Sequence, residues 1–74
     1  SYVTEIKQLG SDMRITLYEK AHIDPAGIPA LMQKYRRGLQ FKAEQEPKFI
    51  YTPQGRPLEA LTDFLTELNR LVEE

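Results

Sequence analysis

Ser11, His22 and Asp24 are the residue types of a nucleophile, a base and the group that orients it. Each also has a plainer use. Ser11 sits with Gly10 and Asp12 in a turn, and Asp24 before Pro25 has the chemistry of a helix cap. His22 is the only histidine and cysteine is absent, so a mechanism needing two imidazoles, a thiol nucleophile and a cysteine zinc site are all excluded. Carboxylates recur at Glu44 and Glu46 and, four apart, at Glu59, Asp63 and Glu67. General acid–base work needs burial to raise one carboxyl pKa, and these positions fall on faces that the apolar pattern leaves to solvent. The same spacing offers at most one edge of a divalent-cation site, with no histidine beside it. The scattered glycines at 10, 27, 38 and 55 make no phosphate-cradling loop. Neither a catalytic residue, a cofactor site nor a metal site is assigned.

Two sets of charged residues are candidates for recognition. Lys34, Arg36, Arg37 and Lys42 form a basic segment with Tyr35 and Phe41 interleaved, the composition of a nucleic-acid module. Arg37, Gly38 and Phe41 half-match the signature of an RNA-recognition strand. Leu39 stands where an aromatic would stack on a base, and Phe41 lies on the alternation a core needs. Cations there also complement the end of a helix. The second set is Glu59, Asp63, Glu67 and Arg70, one face of a helix opposite its apolar stripe.

The elements that position these residues follow from periodicity. Tyr2 to Leu9 is rich in strand formers but alternates poorly. Met13 to Tyr18 alternates almost perfectly, with Met13, Ile15 and Leu17 inward. Asp24-Pro25 starts a helix whose stripe is Ile28, Leu31, Met32 and Tyr35, although Pro29 conflicts with a start at Pro25 unless the first turn is distorted or regular helix begins nearer Gly27. Gly38 is the expected left-handed stop. Leu39 to Glu44 and Lys48 to Thr52 are strands joined at Gln45-Glu46-Pro47, and Thr52-Pro53-Gln54-Gly55 fits a type I turn. Pro57 opens a final helix in which Leu58, Leu61, Phe64, Leu65, Leu68, Leu71 and Val72 share an arc of about 140°.

The order strand–strand–helix–strand–strand–helix predicts an α+β, two-layer domain. Its four-stranded antiparallel or mixed sheet carries both helices on one face. Arg14, Thr16, Tyr18, Gln40, Lys42 and Lys48 point outward. With 74 residues and neither repeat nor linker, the chain reads as one small domain, residues 1–74. Residues 1–37 hold six basic and four acidic side chains and residues 38–74 four and seven, which is not the basic footprint of a nucleic-acid binder. No apolar run nears the ~20 residues of a membrane span, and no leader pattern opens the chain.

Glu19-Lys20-Ala21-His22-Ile23-Asp24-Pro25, the following Ile28 to Tyr35, the strands Leu39–Phe41 and Lys48–Ile50 and the last amphipathic helix resemble the extreme C-terminal domain of bacterial transcription-repair coupling factors. Ile6-Lys7-Gln8-Leu9-Gly10 is similar to the strand leading into it. The resemblance implies a C-terminal fragment of a cytoplasmic, multidomain DNA-translocating ATPase whose motor lies elsewhere. It implies a non-catalytic regulatory role without cofactor: packing against other domains of the same protein, chiefly the N-terminal UvrA-binding module, and masking it. Direct nucleic-acid binding by residues 34–42 is the alternative. Taking such a domain from its neighbours also exposes an edge strand open to pairing.

Overall fold

The computed structural model describes residues 2–73, and of Glu73 the backbone only. Strand β1, Val3–Leu9, turns at Gly10-Ser11 into β2, Asp12–Leu17. Gly10 lies at φ 64°, and Ser11 is not among the residues with positive φ. That is the pattern of a two-residue type II′ hairpin, in which a glycine takes the first central position. A short strand β3, His22–Ile23, precedes helix α1, Gly27–Tyr35. A 3₁₀ turn, Arg36–Gly38, leads to β4, Leu39–Lys42, and β5, Lys48–Tyr51. Helix α2, Pro57–Asn69, and strand β6, Val72–Glu73, complete the order.

Four strands form one sheet in the order β1-β2-β5-β4, every neighbouring pair antiparallel. This is the expected α+β architecture. The inner face carries Met13, Ile15, Leu17, Leu39, Phe49 and Tyr51, and both helices pack on it through Leu31, Phe64 and Leu68. Phe64 joins the layers: its ring stacks on Tyr51 at 4.7 Å and meets Tyr35 at 5.4 Å and Phe49 at 5.6 Å edge-on. Such pairs add about 0.5–1.5 kcal/mol each beyond their area burial.

Of the readings that Pro29 leaves open, the later start holds: helix α1 begins at Gly27, because residues 24–26 are spent in a turn in which Asp24 Oδ1 accepts from the Ala26 N–H at 3.0 Å and its carbonyl from the Gly27 N–H at 3.0 Å. Pro29 is then the third helical residue, where its missing N–H is one that no helix can satisfy internally. The left-handed stop is Arg36, at φ 50°, and not Gly38. Gly38 serves close approach instead, since a Cβ there would lie 3.2 Å from the Thr52 carbonyl, whose own N–H donates to the Gly38 carbonyl at 2.8 Å.

The last helix ends at Asn69, three residues before Val72. Val72 instead pairs with Ile23, and Glu73 with His22, in a two-stranded ribbon that the sequence pattern did not predict. The Asp24 N–H donates to the Leu71 carbonyl at 2.8 Å and ties this ribbon to the start of α1. Leu58, placed by its spacing on the core stripe, is 78% exposed.

Candidate interaction surface

The two charged sets meet where α1 ends beside α2. Lys34, in the last turn of α1, donates to Glu67 Oε1 at 2.6 Å, and Arg70 Nη1 lies 3.8 Å from the same oxygen. The hydrogen bond from Lys34 holds the Glu67 carboxyl below the ordinary carboxylate range, and its counterpart raises Lys34. Both groups are therefore fixed in their charged forms. Glu59 pairs with Arg56 at 3.5 Å, both side chains well exposed. Asp63 lies exposed between these pairs and makes no ion pair among the described residues.

These residues border an open groove of about 840 Å³ floored by Tyr35, Tyr51 and Ala60. Burial pushes the phenols of Tyr35 and Tyr51 up, so both are neutral. The Tyr51 hydroxyl donates to the Ala60 carbonyl at 3.3 Å. Beside the groove, Leu58, Glu59, Thr62 and Asp63 line a shallow hollow of about 390 Å³. Charges of both signs border the groove, and the hollow beside it sets Leu58 among the carboxylates of Glu59 and Asp63. Mixed polar and apolar composition of this kind is that of an ordinary protein contact surface.

The basic segment is divided. Lys34 faces α2, Arg36 and Arg37 are exposed at the end of α1, and Lys42 stands on the outer face of the sheet. Phe41, partly buried, packs on Phe49 at 4.9 Å on the inner face. Ser11 lies in the turn before β2 and His22 beyond the other end of that six-residue strand, about 20 Å of extended chain away. Among the described residues, no three His, Cys, Asp or Glu side chains gather as metal ligands.

Sequence spacing turns Arg14, Lys42 and Lys48 outward, as observed, and misses only that they are neighbours across strands. The registers align Glu5, Thr16, Lys48 and Lys42 in one row and Lys7, Arg14, Ile50 and Gln40 in the next. Arg14 Nη2 donates to Glu5 at 3.0 Å and Lys48 Nζ to Glu44 at 2.9 Å, which lowers the Glu44 carboxyl. Thr16, only 5% exposed, keeps its hydroxyl without a hydrogen-bond partner, as does Arg14 Nε. The adjacency of Arg14, Lys42 and Lys48 depends on strand order, which no run of charge announces.

No helix among the described residues is long and apolar enough to cross a membrane. Set against family models, curated proteins and solved structures, the chain finds no match in any of the three comparisons.

Proposed function

We propose that this chain is a docking module that works by reversible surface contact and performs no bond-making chemistry of its own. One observation carries the reading: Leu58 is 78% exposed on the first turn of α2, flanked by Glu59, Thr62 and Asp63. A large apolar side chain ringed by acidic and hydroxyl side chains has the composition of a small interface centre. The carboxylates around it favour a basic partner surface and an association that weakens with salt.

Joined to the family resemblance, this gives a regulatory domain at the C-terminus of a bacterial transcription-repair coupling factor. It acts in the cytoplasm without a cofactor and masks the UvrA-binding module by intramolecular packing. Masking needs little energy, since a 99:1 bias between closed and open states is about 2.7 kcal/mol. A rim of charges and one apolar anchor supply that order of affinity. The engagement of Lys34 by Glu67 and the place of Lys42 on the outer sheet face divide the basic segment, which supports docking over the nucleic-acid alternative.

Titrating the UvrA-binding module with the 74-residue chain tests this at about 50 mM salt, the regime in which charge contacts are least screened. Binding that falls about tenfold in Leu58→Ala and in Asp63→Lys is the expected result. No association at low salt overturns the proposal. So does association untouched by either substitution. Micromolar binding to single- or double-stranded DNA with a steep salt slope would turn the assignment to the alternative.

A further inference from the structure

Strand β1 is an edge of the sheet with β2 on one side only. Its backbone phase follows from two hydrogen bonds at the far end of β2. The Tyr18 N–H donates to the Tyr2 carbonyl at 2.8 Å, toward β1, whereas the Leu17 N–H donates to the Pro47 carbonyl at 2.8 Å, toward β5. Even-numbered residues of β2 thus spend their backbone groups on β1. Their register partners Glu5, Lys7 and Leu9 return those bonds. By alternation Ile6 and Gln8 direct N–H and C=O groups away from the molecule. Ile6 is 44% exposed and Leu9 39%, although both are large apolar side chains.

We infer that this edge binds the same edge of a second copy, antiparallel about a two-fold axis through Ile6. In that register Ile6 faces Ile6 as a hydrogen-bonded pair. Glu5 of each copy then stands opposite Lys7 of the other, twice over, on the outer face. The charges select this alignment. Shifting the strands two residues one way places Glu5 against Glu5, and two the other way Lys7 against Lys7. A one-residue slip turns the strand's faces over. Lys7 has a need for the contact: within the chain its direct cross-strand neighbour is Arg14, a like charge, and it makes no ion pair among the described residues. A lysine on an edge usually discourages pairing. Glu5 two residues earlier makes this edge complementary to itself.

Sedimentation of the 74-residue chain between about 10 μM and 1 mM tests the pairing. Concentration-dependent dimerisation is expected for the native chain. Lys7→Glu and Glu5→Lys should each raise the dissociation constant about tenfold or more. The double exchange Glu5→Lys with Lys7→Glu should restore dimerisation. In a sample mixing two isotope labels, the Ile6 methyls of unlike copies should be in contact, a readout independent of how any variant folds. A native chain that stays monomeric throughout overturns the inference. So does a dimer indifferent to the single charge changes, a double exchange that fails to restore it, or a dimer without the Ile6–Ile6 contact.

Discussion

Arg36 closes α1 at φ 50° and ψ −121°, a region that an L side chain enters only at a cost. Strain of this kind is about 1–3 kcal/mol. The side chain returns nothing for it, being exposed and without an ion pair among the described residues. Glycine has no Cβ to clash there, and its extra freedom in the unfolded chain costs only about 0.5–1 kcal/mol. Arg36→Gly is therefore expected to stabilise the chain by about 1 kcal/mol, a rise of about 4–8 °C in Tm for a domain of this length. Thermal melting followed by far-UV circular dichroism checks it, and an unchanged or lower Tm would show that the backbone there is unstrained. Nothing in Lys34-Tyr35-Arg36-Arg37-Gly38 marks Arg36 for the role. The glycine is the natural stop, and it is drawn off by packing against the Thr52 carbonyl, a contact fixed by β5 and invisible to local spacing.

Helix α2 is legible from Pro57 and its apolar stripe in all but its C-terminal end and the exposure of its first turn. Phe64 and Leu68 are fully buried and Leu61 and Leu65 partly so, as a 3.6-residue period requires. At the first turn the stripe overruns the sheet, and Leu58 finds no neighbour to cover it. At the other end no glycine or proline announces a stop, and the chain leaves the helix because Leu71 and Val72 bind the start of α1 and β3. Periodicity reports which side of a helix is apolar, not how far the opposing layer extends. Two residues on one predicted stripe thus have different energetics. Phe64→Ala removes the ring that touches Tyr35, Phe49 and Tyr51 and should cost about 3–5 kcal/mol, enough to unfold much of a chain this small. Leu58→Ala should change stability by no more than about 0.5 kcal/mol. Urea unfolding of both variants separates them; a large loss in Leu58→Ala would mean that this leucine belongs to the core and not to a docking surface.

The layers and the four strands of the main sheet are legible because three of those strands alternate and both helices have one apolar stripe, whereas β1 alternates poorly and nothing in the pattern announces the β3–β6 ribbon. Strand order is not legible, since the inward residues of β2 would serve equally well beside β4. What sets β2 next to β5 is long-range: the Thr52 hydroxyl donates to Asp12 Oδ1 at 2.6 Å, the Leu17 N–H to the Pro47 carbonyl, and Phe49 lies across from Ile15. That order makes β1 an edge, and the edge makes a prediction about the whole molecule. In dilute solution the amides of Lys7 and Leu9, turned toward β2, should exchange slowly with solvent, while those of Ile6 and Gln8, turned outward, exchange fast. Raising the concentration should slow Ile6 and Gln8 selectively and leave Lys7 and Leu9 nearly unchanged, because pairing of two edges occupies only the outward groups. Amide exchange followed by NMR at two concentrations distinguishes this from general stabilisation, which would slow all four together. If Ile6 and Gln8 are slow even when dilute, the alternation assigned to β1 is out of phase. The Ile6-centred register then loses its backbone hydrogen bonds, whatever its charges favour.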